Sequence, residues 1–174
     1  MSDVSRRNVA KGLAWSVPAI VVGAPAPAVD ASTSIPCANK NSPAVASHTY
    51  GYCSTGRAFA GIYTTCSTVV PAGIIFTVTW CNVGRKSVAV SAPSYTSQVR
   101  RTSGSNRTTL CPGECVSWKF VTLRTMTVGQ EISVPIDTST PAKITSTVTV
   151  KTLPAGYVNT DPSKGVSTDT HVYA

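Results

Sequence analysis

"IIFTVTWC", residues 74–81, is the stretch on which the fold turns. Phe76, Val78 and Trp80 alternate with Thr77 and Thr79. That period of two sends large apolar groups to one side and hydroxyls to the other, the pattern of a half-buried β-strand. The alternation returns with Val116, Trp118 and Phe120 against Ser117 and Lys119, and with Ile132, Val134 and Ile136 against Glu131 and Ser133. It appears once more with Ile144, Val148 and Val150 against Thr145, Thr147 and Thr149. Shorter strand candidates are RAFAGIY (57–63), SVAVS (87–91), SYTSQVR (94–100) and DTHVY (169–173).

Turn residues separate these runs: Pro71-Ala72-Gly73, Asn82-Val83-Gly84, Ser103-Gly104-Ser105-Asn106, Pro112-Gly113, Val128-Gly129 and Pro154-Ala155-Gly156. No apolar stripe of helical period persists for more than two turns after residue 31. Ser and Thr make up 42 of the 143 residues from Ser32 onward, and the branched Thr side chain suits an exposed strand face. The expectation is an all-β, two-sheet antiparallel sandwich. Trp80 and Trp118, on the inward parity of two different strands, are expected at its centre; a ligand-lining role is the alternative.

The first 31 residues read differently. Arg6 and Arg7 follow Ser5, Lys11 comes next, a mostly apolar run extends from Leu13 to Ala24, and small residues and prolines end at Ala31. Basic, apolar, small is the order of a removable export signal. The apolar run contains Pro18 and is shorter than the roughly 20 residues that span a bilayer, so no permanent membrane span is expected. Ser5, Arg6, Arg7 and Lys11 resemble a twin-arginine translocation signal, whose pattern is Ser-Arg-Arg-x-Phe-Leu-Lys; Val9 and Ala10 stand for the Phe and Leu. The resemblance implies an export translocase and a signal peptidase as partners, with the general secretory route as the other path. Cleavage is expected after Ala31, with Ala28 as the alternative. Residues 32–46 read as a flexible lead-in and 47–174 as one domain, long enough to bury a core.

Cys37, Cys53, Cys66, Cys81, Cys111 and Cys115 all follow the export signal, so disulfides are expected, three if all pair. Cys111-Pro112-Gly113-Glu114-Cys115 has close spacing but lacks the second pair or histidine of a zinc site. A local Cys111–Cys115 bridge across the Pro-Gly turn is compatible with this sequence, and the pairing is otherwise open.

"FTVTWCNVG", "MTVGQEISVPI" and "KITSTVTVKTLPAG", behind an export signal of this style, are similar to immunoglobulin-like domains of small secreted actinobacterial proteins. The resemblance spans about residues 69–157 and implies a structural, adhesive or binding module at the cell surface. No Cys lies two residues after a Tyr on a late strand, so the resemblance does not extend to the inter-sheet disulfide of antibody domains.

Charge is the remaining pointer to function. From Ser32 onward the chain holds 12 basic and five acidic residues, a net +7. Residues 32–113 carry Lys40, Arg57, Arg85, Lys86, Arg100, Arg101 and Arg107 and no carboxylate side chain, whereas 114–174 carry five of each sign. Arg85, Lys86, Arg100, Arg101 and Arg107 are the candidate residues for binding an anionic wall polymer, and a solvated surface is the plain alternative. The basic pairs lack a surrounding nucleic-acid motif, so no specific nucleic-acid partner is expected.

Catalysis finds little in the pattern. His48 and His171 are the only histidines, and there is no Gly-x-Ser-x-Gly elbow, no His-Glu-x-x-His and no phosphate loop. Glu114, Glu131, Asp137, Asp161 and Asp169 are the only acids available for paired-carboxylate work from Ser32 onward, and their spacing selects no pair. The chain therefore reads as not an enzyme, with no cofactor and no metal. It reads as an extracellular or cell-wall module that binds an anionic wall polymer or another surface protein. A disulfide-stapled protease inhibitor or toxin is the rival, and an extracellular hydrolase the weaker one.

Overall fold

The computed structural model describes residues 44–52, 56–65 and 69–173, without the side chains of 50–52. All of these belong to the compact unit Ser34–Ala174. The export-signal residues Arg6, Arg7 and Lys11, the cleavage point after Ala31, Lys40, and Cys37, Cys53 and Cys66 lie outside the described residues.

Among the described residues ten strands form: β1 (Val45–Tyr52), β2 (Arg57–Thr64), β3 (Ile75–Asn82), β4 (Val88–Ser91) and β5 (Val99–Ser103), then β6 (Arg107–Leu110), β7 (Cys115–Thr122), β8 (Glu131–Thr138), β9 (Ala142–Thr152) and β10 (Val166–Tyr173). A 3-10 turn, Pro162–Gly165, precedes β10. The strands make two five-stranded antiparallel sheets, β1-β2-β8-β4-β6 and β10-β9-β3-β7-β5, the expected two-sheet sandwich. From β2 to β9 each successive strand lies in the opposite sheet, so every connection in that range crosses between sheets. Only β1–β2 and β9–β10 pair with the strand next in sequence.

The period-two runs bury the faces their sequence marks. Phe76, Val78 and Trp80 of β3, Trp118 and Phe120 of β7, and Ala58, Ala60 and Ile62 of β2 are fully buried, and Ile132, Val134 and Ile136 of β8 join them in one core. Phe76 and Phe120 are register partners with ring centroids 5.6 Å apart, and Trp80 meets Trp118 edge-on at 6.5 Å. Such aromatic pairs add about 0.5–1.5 kcal/mol each beyond the area they bury. The tryptophans are therefore core residues and do not line a ligand surface.

Two glycines let backbones meet. Inside β2, a Cβ on Gly61 would stand 2.3 Å from the carbonyl oxygen of Ile132, so only glycine allows β8 to pair there. Gly104 has φ +93°, and a Cβ would stand 2.6 Å from both the Ser117 carbonyl oxygen and the Trp118 ring. The turn after β5 thereby closes over Trp118, whose Nε1 donates to Ser105 O at 2.6 Å.

Three boundaries differ from the sequence reading. β1 begins at Val45, inside the stretch read as lead-in. SYTSQVR contributes only its end to β5, because Tyr95 forms an isolated bridge with Arg100 and Thr96 turns the chain by accepting from the amides of Gln98 and Val99. Arg107–Leu110, outside the strand candidates, is the edge strand β6 beside β4.

The cystine is also corrected. Cys81 bonds to Cys115, across 34 residues, and the Cys111 thiol is free and exposed, so the local Cys111–Cys115 bridge is absent. Cys81 and Cys115 are register partners on β3 and β7, which makes the bridge a link within one sheet.

Candidate functional site

The Asn82-Val83-Gly84 turn builds the site. Asn82 ends β3 at an inward position and is fully buried, so its carboxamide must be satisfied inside the protein. Its Oδ1 accepts from Gly84 N at 3.0 Å, while Nδ2 donates to Lys86 O at 2.8 Å and to Leu110 O at 3.0 Å. Val83 N donates to Lys143 O at 3.0 Å, tying the turn to the start of β9. One side chain thus shapes the loop that presents Arg85 and Lys86 and joins it to β6.

The result is a groove of about 270 Å³ lined by Gly84, Arg85, Lys86, Pro141, Ala142, Lys143, Val172 and Tyr173. Its floor is apolar, with Tyr173 buried, and its charged groups are three cations. Sequence reasoning missed Lys143. The missing information is that β9 starts against the β3–β4 turn, which no local pattern encodes.

The other candidates separate. Arg100 projects outward from β5, opposite Val121. Arg107 projects from the outer face of the other sheet, where Arg57, Asp137, Ser91 and Arg107 fall in one cross-strand row. It lines a second cavity of about 270 Å³ together with Ser91, Asp137 and Ser139. Arg101 is withdrawn as a binding residue. Its guanidinium is half-buried and donates to Ala92 O at 2.7 Å, Ser94 Oγ at 3.0 Å, Asn106 Oδ1 at 3.2 Å and Ser105 O at 3.3 Å, so it organises its own loop. The five candidates do not form one face.

Most of the carboxylates are engaged. Arg57 Nε donates to Asp137 Oδ1 at 2.6 Å, and that hydrogen bond, then the carboxylate's charge, raises the guanidinium pKa above its ordinary value. Asp161 caps the 3-10 turn. The Ser163 hydroxyl, then Lys164 through its side chain, its amide and its charge, hold the Asp161 carboxyl below the usual carboxylate range. Glu131 meets His48 Nε2 at 3.0 Å, and Glu114 accepts from Cys111 N at 2.7 Å. Among the described residues, Arg85, Lys86, Arg100, Arg107, Lys119, Arg124, Lys143 and Lys151 meet no carboxylate.

His171, on β10, is buried against β1. Its Nε2 lies 3.2 Å from Thr49 Oγ1 and its Nδ1 3.7 Å from Asp169 Oδ2, while the Thr49 hydroxyl donates to Ser146 Oγ at 2.8 Å. Thr49 thereby ties β1 to the opposite sheet through both Ser146 and His171. Among the described residues no group of three His, Cys, Asp or Glu is placed to hold a metal ion.

Fold and groove together define a two-sheet β-sandwich carrying a basic, carboxylate-free site at the β3–β4 turn. No protein-family model matches this chain, and no curated protein matches it. Among solved structures it is similar to one described as "AvmM Catalyzes Macrocyclization in Alchivemycin A Biosynthesis", at 9% identity and a TM-score of 0.33, over 78% of this chain and 90% of that one. That neighbour catalyses a reaction, and on this finding the expectation that the present chain is not an enzyme is withdrawn. At this identity and TM-score the likeness assigns neither a fold nor an activity to the chain.

Proposed function

We propose that this chain is an exported, surface-associated binding module that holds an anionic polymer of the cell wall in the groove at the β3–β4 turn. The observation that carries the reading is the convergence of Arg85, Lys86 and Lys143 on one groove with no carboxylate among its lining residues. Three uncompensated cations raise the local concentration of polyanions, and the apolar floor of Pro141, Ala142, Val172 and Tyr173 gives a bound chain a surface to lie on. Export is supported by the Ser5-Arg6-Arg7 and Lys11 pattern with the expected cut after Ala31. The Cys81–Cys115 disulfide fits an oxidising compartment, and among the described residues no helix is long and apolar enough to cross a membrane.

Fractionating producing cells into medium, high-salt wall wash and stripped wall tests this reading. The mature chain is expected in the salt wash, because exposed ion pairs weaken as the screening length falls from about 8 Å at physiological ionic strength to about 3 Å at 1 M. Replacing Arg85, Lys86 and Lys143 by Ser should lower wall-polymer affinity about tenfold, at about 0.5 kcal/mol for each exposed ion pair. Recovery of the wild-type chain in the medium alone would overturn the reading and favour a soluble target such as a protease.

A further inference from the structure

The outer face of the β10-β9-β3-β7-β5 sheet is a field of hydroxyls in register. Thr168, Thr147, Thr79 and Ser117 form one cross-strand row; Thr170 and Thr145 lie in the row beside it, and Thr149 and Thr77 in the row on its other side. Within the field Thr145 and Thr170 are joined at 3.0 Å, Thr147 and Thr168 at 3.0 Å, and Thr79 and Ser117 at 2.7 Å. At its margins stand Lys143 and Lys151 on β9, Lys119 opposite Thr77 on β7, and Arg100 on β5. No carboxylate and no aromatic ring occupies an outward position of these five strands. Lys143 belongs to both the groove and the field, so the two surfaces are continuous. The opposite face of the sandwich differs in charge, since it carries the Arg57–Asp137 and His48–Glu131 pairs.

We infer that the ligand is a polymer alternating anionic groups with hydroxyls, a polyol or sugar phosphate, which leaves the groove and lies across this threonine face. The inference rests on the reading of the groove as an anion site, and charge complementarity selects this face over the other. The spacing of the cations then selects the kind of anion. Lys143 and Lys151 are eight residues apart on one strand, about 26 Å, and Lys119 lies two strands from β9, about 10 Å across. Between those points the ligand meets only neutral groups, the hydroxyls together with the Cys81–Cys115 disulfide in the Thr145 row and Val166 beside Thr149. A Thr pair that shares one proton still presents one donor proton and free lone pairs. A hydroxyl-bearing ligand uses both, whereas a bare chain of phosphates or carboxylates, which only accepts, leaves the lone pairs facing its own charge. The lack of aromatic rings argues against a neutral glycan, whose apolar sugar faces call for aromatic surface.

The mature chain tests this with two probes of matched charge number, a glycerol phosphate polymer and inorganic polyphosphate, titrated at fixed ionic strength. The wild type is expected to bind the glycerol phosphate polymer at least fivefold tighter. The double variant Thr79→Val/Thr147→Val keeps the branched shape and removes two hydroxyls; it should lower glycerol phosphate binding three- to tenfold and polyphosphate binding less than twofold. Thr79→Ser/Thr147→Ser, which restores the hydroxyls, should bind as the wild type does. Lys119→Ser/Lys151→Ser, at exposed positions whose ammonium groups meet no carboxylate, should weaken both polymers, and it keeps the test decisive if the valine variant does not fold. Equal affinity for the two polymers, or a folded valine variant with unchanged preference, overturns the inference and leaves the groove reading standing. Failure of the wild type to bind either polymer removes both.

Discussion

Asn82 Nδ2 donates to the Lys86 carbonyl at 2.8 Å from a fully buried position, so a core side chain sets the shape of the turn that carries Arg85 and Lys86. Asn82→Ala strands three partners, Gly84 N, Lys86 O and Leu110 O. Leaving a buried polar group unsatisfied costs about 1–3 kcal/mol, and since the turn can relax toward water a total loss of about 2–4 kcal/mol is expected. Urea unfolding measures that loss, and titration with wall polymer should show affinity falling with it. An Asn82→Ala protein of unchanged stability would remove the role assigned to this side chain.

Arg101 and Arg107 should part company on mutation. Arg101→Ser removes the donor to Ala92 O, Ser94 Oγ, Ser105 O and Asn106 Oδ1 and should destabilise the chain by about 1–3 kcal/mol. Arg107→Ser touches an exposed group without a carboxylate partner and should shift stability by no more than about 0.5 kcal/mol. Thermal unfolding of the two variants side by side is the check.

The cystine gives a chemical test. Native protein exposed to iodoacetamide should be modified at Cys111, and at Cys81 and Cys115 only after reduction, which peptide mass mapping reads directly. The Cys81→Ser/Cys115→Ser variant opens a 34-residue loop and should lose about 2–4 kcal/mol of stability. Modification of Cys115 before reduction would contradict the bridge.

The two core tryptophans differ in one proton. Trp118 Nε1 donates to Ser105 O, whereas Trp80 Nε1 is buried without a hydrogen-bond partner. Replacement by Phe costs packing volume at either site. At Trp80 it also removes an unsatisfied donor, whose burial costs about 1–3 kcal/mol, so Trp80→Phe should be the milder substitution by about 1–2 kcal/mol. Equal losses in a denaturant titration would count against this accounting.

The Asp161 turn should lose stability in acid. Its carboxyl pKa is lowered in the folded chain, by Ser163 first and then Lys164, so the stabilisation is present above the ordinary carboxylate value near pH 4 and is lost as pH falls through the lowered folded value. Asp161→Asn should flatten the acid limb of the stability–pH curve. Arg57 has its pKa raised, so the guanidinium keeps its charge through the neutral range and loses it only in strong alkali.

Much of the sandwich is legible along the chain. Phe76, Val78, Trp80, Trp118 and Phe120 are buried because an alternating strand has one dry side, and parity identifies that side without knowledge of the neighbours. What lies across from a strand is another matter. The Cys81–Cys115 bridge, the row Arg57–Asp137–Ser91–Arg107 and the meeting of Lys143 with Arg85 and Lys86 all depend on which strands pair and in what register, and parity is silent on both. Val45–Tyr52 escaped notice because Ala46, Ser47 and His48 break the apolar alternation, and Arg107–Leu110 because four residues are too few to show one. Arg101 looked like a ligand because its four acceptors are three main-chain and side-chain groups of neighbouring loops and one strand-end carbonyl, none of which carries a charge to advertise it.

The crossing of chain between sheets at every step from β2 to β9 also governs how the molecule is made. β8, Glu131–Thr138, is the shared neighbour of β2 and β4, and Arg57 waits 80 residues for its partner Asp137. A nascent chain that has reached only residue 130 holds β2 and β4 with no strand to stand between them. Pairings of such long sequence separation form slowly, because the loops must close before the contacts reward them. Synthesis therefore has to pass Thr138 before β2 and β4 gain their shared neighbour, and Thr152 before β3 gains β9, so both sheets wait on strands made late.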